Sequence, residues 1–143
     1  MALAVEFLAF LGLFFINPLY ALGAVVLAEV AAKLSMVTIV WVGKPAHKGL
    51  GAIFLSKAKK NLNAVAYLAA VVIGFVVFWL SGNVFLGLVA VGVMLISVPV
   101  AFVMEKVAEG VFGGVSGDMI GATNEVARAV TLIVLAAVLV MLA

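Results

Sequence analysis

The chain has 143 residues, of which 69% are hydrophobic and 10% are charged, whereas an average soluble domain carries about 25% charged residues. A soluble fold is therefore excluded, and the net charge of +2 is not that of a nucleic-acid-binding surface. The absence of cysteine excludes disulfides and thiolate chemistry, and a single histidine argues against a histidine-built metal centre. We predict an all-α, polytopic transmembrane helix bundle in a lipid bilayer.

Polar segments divide the chain into apolar runs, most of them long enough to cross a membrane, which takes about 20 helical residues. We expect about five hydrophobic helices, at residues 2–16, 19–42, 61–80, 84–104 and 118–142. They are separated by the turn at 17–18, a polar loop at 43–60, a tight connection at 81–83 and a polar, glycine-rich loop at 105–117. No repeat or linker interrupts the pattern, so residues 1–143 are predicted to be a single transmembrane domain.

Lysine placement indicates the orientation of these helices. Segment 43–60 carries five lysines and no acidic residue, which makes it cytoplasmic under the positive-inside rule. Alternation of the helices then places 105–117 on the same side and 81–83 outside. The two polar loops are thus predicted to share the cytoplasmic face of the cell membrane.

Two of these lysines, Lys44 and Lys48, flank Pro45 in a glycine-rich stretch close to the membrane. Lysine ammonium groups and free backbone N–H groups bind anions, so both lysines are candidates for a phosphate clamp. The alternative is that they are topology signals and headgroup anchors, which is our interpretation of Lys57. We interpret His47 as a loop residue beside the headgroups, with a catalytic role as its alternative.

Glu29 and Lys33 are charged residues inside an apolar run. They lie four residues apart on one helix face, with the acid N-terminal, which favours an ion pair between them. One reading is a self-neutralised pair without further role. The other is a polar wall facing a cavity, since charges are costly to keep facing lipid.

Segment 112–125 combines a glycine cluster, the hydroxyl of Ser116 and the only aspartate of the chain, Asp118, at the start of the last helix. Glu125 follows on the same helical stripe, about two turns further on. The residues between them are small on that face. Two carboxylates there suit a Mg²⁺–phosphate site, which needs few protein carboxylates. Asp118 and Glu125 are therefore candidate catalytic residues.

The same segment also has purely structural interpretations. Asp118 is a residue type that caps helices, and the G-x-x-x-G spacing of Gly117 and Gly121 favours close helix packing. Neither explains Glu125, which Arg128 is placed to neutralise three residues later. The loop is not a P-loop, because no Gly-Lys-Ser/Thr follows it, and it lacks the preceding strand of a dinucleotide-binding motif.

Residues 113–122, Gly-Gly-Val-Ser-Gly-Asp-Met-Ile-Gly-Ala, followed by Asn124 and Glu125, resemble the closing motif of the cobalamin synthase family. That motif usually has threonine where this chain has Ser116. Residues 31–36, Ala-Ala-Lys-Leu-Ser-Met, and 44–51, Lys-Pro-Ala-His-Lys-Gly-Leu-Gly, look like the middle region of the same family. The order and spacing of these blocks also fit.

The resemblance implies an adenosylcobinamide-GDP ribazoletransferase, which joins adenosylcobinamide-GDP to α-ribazole or its 5′-phosphate with Mg²⁺ and releases GMP. It implies that Asp118 and Glu125 contact the metal or substrate hydroxyls, with Asp118 as the metal ligand. The positions implied to hold phosphate oxygens or the GDP portion are Lys44, Lys48, Gly113, Gly114, Ser116 and Gly117.

The chain also departs from that family. Members are longer and carry an aspartate-rich motif in their N-terminal half, whereas this chain has one aspartate. We therefore expect it to be the C-terminal part of a longer enzyme, inactive without an N-terminal half or another copy as partner. The alternative function is a small multi-pass transporter or channel subunit, with Glu29, Lys33 and the Asp118/Glu125 stripe lining a pathway.

Overall fold

The computed structural model describes residues 2–47, 50–57, 60–80 and 83–142. Across these ranges the chain forms seven α-helices, and the only β-type pairing is one isolated bridge, so the prediction of an all-α bundle is confirmed. The helices are α1 (Ala2–Ile16), α2 (Pro18–Val42), α3 (Leu50–Lys57), α4 (Lys60–Trp79), α5 (Val84–Met94), α6 (Ser97–Phe112) and α7 (Gly117–Leu142).

Asparagine side chains start two of these helices. The Asn17 side chain accepts a hydrogen bond from the backbone N–H of Leu19 over 2.9 Å, and Pro18 occupies the first helical position of α2. Asn83 caps α5 in the same way, through the N–H of Phe85. Both residues are extended, as N-caps are, and each satisfies a donor that the first helical turn leaves free. Residues 81 and 82 of the predicted tight connection lie outside the described ranges.

Three predicted segments differ from the structure. The run at 84–104 is interrupted at Leu95–Ile96, where α5 ends and α6 begins. The predicted loop at 105–117 is helical as far as Phe112, since glutamate and lysine are good helix formers and project readily beyond the apolar core. The connection between α6 and α7 is thus only residues 113–116. The predicted loop at 43–60 likewise contains the short helix α3.

Helix α2 lies at the centre of the bundle and packs against α7, α4, α6 and α1, most extensively against α7. Its buried positions include several alanines, which let neighbouring helices approach closely. Large apolar side chains are exposed around the outside, as expected for surfaces that contact lipid. Within the described residues, Pro18–Val42, Val84–Phe112 and Gly117–Leu142 are long and apolar enough to span a membrane, and Leu3–Ile16 and Asn63–Trp79 are shorter apolar helices.

Candidate functional site

The loop after α2 pairs directly with the loop before α7. The backbone N–H of Val115 donates to the carbonyl oxygen of Lys44 over 2.7 Å, and the N–H of Ala46 donates to the carbonyl oxygen of Val115 over 3.2 Å. These bonds make the isolated bridge between Pro45 and Val115. The Val115 side chain is buried beneath the junction. The structure therefore brings together, at one end of the bundle, the two segments that the sequence predicted to share a face.

Two glycines make this junction possible. Gly113 has φ of 71°, a left-handed conformation that ends α6, and its N–H bonds to the carbonyl of Glu109. Gly114 has φ of 152°, and a Cβ at this position would lie 2.7 Å from both the Ala46 nitrogen and the Lys44 oxygen. Only glycine fits there, because the clashing atoms are backbone. These glycines therefore shape the loop. Both of their N–H groups already bond to carbonyl oxygens of α6, so they are not free to hold the GDP portion as the resemblance implied.

Helix α7 begins at Gly117, and Ser116 acts as its cap. The Ser116 hydroxyl accepts a hydrogen bond from the backbone N–H of Met119 over 3.3 Å. The structural interpretation of Asp118 as the N-cap is thus wrong, because Ser116 already occupies that position and Asp118 lies inside the first turn. The Asp118 side chain is exposed there, beside the positive end of the helix dipole. Among described residues it has no hydrogen-bond or ion-pair partner.

A cavity of about 550 Å³ opens at this junction. Its size and its position at a helix N-terminus suit a phosphorylated ligand, because free N–H groups and the helix dipole both favour negative charge. The lining residues are Ala46, His47, Phe112, Ser116, Gly117, Asp118 and Met119.

Some of the predicted site residues line this cavity and others do not. Ser116, Gly117 and Asp118 line it, and the side chain of Lys44 is exposed at the adjoining loop. Lys48 lies outside the described residues. His47, which sequence reasoning assigned to the headgroup region, is brought to the cavity. One hint of this placement is in the sequence, because His47 lies two residues after Pro45, in the stretch proposed to bind phosphate.

Glu125 does not line the cavity. Seven residues of helix separate it from Asp118, about 10 Å along the axis at ~1.5 Å per residue, and its carboxylate is held elsewhere. Arg128 Nη1 lies 2.9 Å from each of its oxygens, and the Asn124 side-chain amide donates to it over 3.2 Å. The expected neutralisation of Glu125 by Arg128 is confirmed. The two predicted carboxylates therefore do not meet at one point.

The side chains near the cavity determine how Mg²⁺ could be bound there. No group of three or more His, Cys, Asp or Glu side chains in the described part of the chain is arranged to hold a metal ion. Bonds of about 2.1 Å to Mg²⁺ could not span the separation between Asp118 and Glu125. Mg²⁺ commonly binds through one or two carboxylates together with substrate phosphates, and Asp118 at the cavity can supply one such ligand. The residues present fit an ion shared with a diphosphate and not an all-protein site.

A second polar cluster lies further along the two helices, between α2 and α7, and its two carboxylate side chains are nearly half exposed. Arg128 Nε lies 2.6 Å from Glu29 Oε1, as an ion pair whose N–H is not aligned for a hydrogen bond. Lys33 Nζ donates to the Asn124 side-chain oxygen over 3.1 Å. The expected Glu29–Lys33 pair is thus wrong, because each residue finds its partner across the helix interface.

The expected polar wall is not formed, because the charged ends of Glu29 and Lys33 bind Arg128 and Asn124 and the surface of the cavity that they border is almost wholly apolar. Glu29 and Lys33 line one side of a cavity of about 310 Å³ between α2 and α4, whose other lining residues are apolar. The other side is made largely of small residues, Ala66, Ala69 and Ala70. This cavity is distinct from the one at the loop junction, and no residue lines both.

Comparison with known proteins gives consistent matches. The profile of cobalamin-5-phosphate synthase matches residues 1–136. An adenosylcobinamide-GDP ribazoletransferase of Methanocella arvoryzae is 34% identical over 130 residues, 86% of this chain and 48% of the relative. A protein with the same description from Methanococcoides burtonii is 31% identical over 78% of this chain and 38% of the relative. Another, from Thermococcus onnurineus, is 36% identical over 83% of this chain and 47% of the relative. The chain thus spans about half the length, or less, of these curated relatives. No solved structure matches.

Proposed function

Because this chain belongs to the cobalamin-5-phosphate synthase family, we propose that it forms part of an adenosylcobinamide-GDP ribazoletransferase embedded in the cell membrane. In the proposed reaction a hydroxyl of α-ribazole, or of its 5′-phosphate, attacks the phosphorus that remains attached to cobinamide. The bond between that phosphorus and the bridging oxygen breaks, the hydroxyl loses its proton, and GMP leaves. The reaction belongs to the last steps of adenosylcobalamin biosynthesis.

The observation that carries this proposal is the cavity at the loop junction. It joins the N-terminus of α7, the Asp118 carboxylate and the His47 imidazole at one place, where the backbone pairing of Lys44 and Val115 holds two distant segments together. Transfer between phosphates depends on positioning and on neutralising charge more than on covalent chemistry by the protein. A cavity between two segments that backbone hydrogen bonds hold together, with a helix N-terminus in its wall and Lys44 on the adjoining loop, suits both needs.

The residues have separate roles in the proposal. The backbone N–H groups at the start of α7, near Gly117, hold diphosphate oxygens. The ammonium group of Lys44, on the adjoining loop, neutralises phosphate charge, and Lys48 is given the same role from the sequence alone. Asp118 contacts either the attacking hydroxyl, whose proton it can accept, or the metal. In this proposal the imidazole of His47 exchanges a proton with the attacking hydroxyl.

Mg²⁺ is proposed to be held by Asp118 and by oxygens of the substrate. When bound, it would supply positive charge that stabilises the diphosphate in the transition state. Glu125 is a poor partner for the same ion, since its carboxylate is bound by Arg128. Its contribution is proposed to be indirect, through the contact with α2 that Arg128 makes.

The active face is proposed to be cytoplasmic, where the lysines of the loop after α2 are expected. The alternative function, a transporter or channel subunit, has less support. Two of its proposed pathway residues, Glu29 and Glu125, are tied to Arg128 rather than left free for a passing ion.

The experiment compares two proteins. One is the 143-residue chain alone, and the other is a chimera that adds the part of the Methanocella arvoryzae relative which this chain does not match. Both are reconstituted in vesicles with adenosylcobinamide-GDP, α-ribazole 5′-phosphate and Mg²⁺, and GMP release is measured. We expect release from the chimera and none from the chain alone. Release from the chain alone would show that these 143 residues contain the whole catalytic centre. A folded chimera that releases no GMP would contradict the proposed activity.

A further inference from the structure

The polar cluster between α2 and α7 forms a continuous belt across the two helices. From Glu29 on α2 it passes to Arg128 and Glu125 on α7, and returns through Asn124 to Lys33 on α2. We refer to these five residues as the interhelical belt. It crosses the interface twice, through the Glu29–Arg128 ion pair and the Lys33–Asn124 hydrogen bond.

Arg128 is the central member of the belt. Its side chain is only 20% exposed, and it contacts carboxylates on both helices, with Nη1 2.9 Å from each Glu125 oxygen and Nε 2.6 Å from Glu29. The planar guanidinium has several N–H donors in a fixed fork, so one arginine can hold two carboxylates in a defined geometry. A lysine could supply the charge but not this geometry.

The position of the belt connects it to the loop junction. Lys33 lies about 14 Å from the end of α2, and Asn124 about 10 Å from the start of α7, at ~1.5 Å per residue. Helices α2 and α7 are therefore fixed to each other at two levels, by the belt within the membrane and by the pairing of Lys44 with Val115 at the loops. The apolar contacts between α2 and α7 are largely non-directional. They therefore oppose a movement of α7 along its axis less strongly than directed polar contacts do.

We infer that Arg128 is a positioning residue that sets the axial register of α7 against α2, and through it the placement of Asp118 opposite the loop of Lys44 and His47. The smallest slip that keeps the same face of α7 against α2 is about one turn, which would displace Asp118 by about 5.4 Å. A misplacement of about 1 Å at a reacting group can cost 10²-fold in rate. The effect on catalysis rests on the proposed function, whereas the effect on register does not.

The axial register of α7 against α2 is measured first, because this measurement does not require catalytic activity. The Ser35 hydroxyl lies 3.5 Å from the Thr123 carbonyl oxygen across the α2–α7 interface. In this cysteine-free chain, Ser35→Cys with Thr123→Cys reports the native register, and Ser35→Cys with Ala127→Cys reports a slip of one turn. We expect Arg128→Gln to lower oxidative cross-linking of the first pair at least ~3-fold relative to the second. Lys106→Gln, an exposed charge on α6, is the control and should change neither.

Catalysis is measured next, in the chimera. We expect Arg128→Gln to lower kcat by about 10²-fold and to raise KM, because a slip of α7 moves Asp118 and the phosphate-binding N–H groups of its first turn together. Arg128→Lys keeps the positive charge and replaces the glutamine variant in the test if that variant does not accumulate in the membrane. Its kcat should lie between those of the unsubstituted chimera and Arg128→Gln. The charge swap Glu29→Arg with Arg128→Glu restores the interhelical pair and should recover both native cross-linking and most of kcat.

Native cross-linking and unchanged kcat in Arg128→Lys and Arg128→Gln would overturn the inference. So would a swap variant that restores nothing although it folds. If the unsubstituted chimera is inactive, the proposed function fails, and the cross-linking ratios still decide whether Arg128 sets the register.

Discussion

The backbone N–H of Val115 donates to the carbonyl oxygen of Lys44 over 2.7 Å, which joins two loops that are far apart in the sequence. Because each loop directly adjoins a long helix, this pairing holds the end of α2 beside the start of α7. The cavity lined by Ser116, Asp118 and His47 exists as a consequence. Substitutions at the junction should therefore affect the cavity even when they touch none of its lining residues.

Gly114→Ala tests this dependence. A Cβ at position 114 would meet backbone atoms of Lys44 and Ala46 at 2.7 Å, and φ of 152° is unfavourable for alanine. We expect a loss of roughly 1–3 kcal/mol, the usual scale of such backbone strain, seen as a lower Tm in detergent and reduced GMP release by the chimera. Gly110→Ala is the matched control, because a Cβ there meets nothing within 4 Å and alanine favours the helix. An equal loss in both variants would mean that the junction is not specifically strained.

Ser116→Ala tests the cap of α7. Removing the hydroxyl leaves the N–H of Met119 without its acceptor, so stability should fall by about 0.5–2 kcal/mol. Ser116→Thr keeps a hydroxyl and should keep both stability and activity. Thermal unfolding in detergent measures the first effect and GMP release the second. If the alanine variant is as stable as the threonine variant, the 3.3 Å contact contributes nothing to the helix start.

Cysteine labelling tests the orientation. Lys57→Cys lies on exposed α3, and Val84→Cys lies at the exposed start of α5, at the opposite end of the connecting helix α4. The positive-inside rule predicts that an impermeant maleimide labels position 84 in intact cells and position 57 only after the membrane is opened. Labelling of position 57 but not 84 in intact cells would reverse the proposed cytoplasmic face.

Local sequence signals predicted the apolar helices and the meeting of the two loops. Asn17 followed by Pro18 is a typical helix start, and α2 begins there. The break at Leu95–Ile96 does have a signal in Pro99, which has no N–H to bond to the Leu95 carbonyl oxygen four residues earlier and whose ring crowds that oxygen. The residues 105–112 looked like a loop because they are charged, although charge does not prevent a helix.

The candidate site was predictable only in part, for a physical reason. Spacing along one helix shows which residues share a face, and it correctly put Arg128 beside Glu125. It cannot show which side chains a neighbouring helix supplies. Glu29 was therefore paired with Lys33 from their spacing, while the structure pairs it with Arg128 across the interface. The placement of His47 at the cavity depends on the same kind of long-range contact.

The most direct test of the account is Asp118→Asn in the chimera, measured as GMP release at saturating adenosylcobinamide-GDP and Mg²⁺. Asparagine keeps the size of the side chain, and Ser116 rather than Asp118 caps α7, so yield and Tm should hold. Loss of a positioned carboxylate predicts a fall of at least ~10²-fold in kcat, while Lys57→Ala, on an exposed helix away from the cavity, should retain normal turnover. Normal turnover in Asp118→Asn would contradict the assignment of this cavity as the site of transfer.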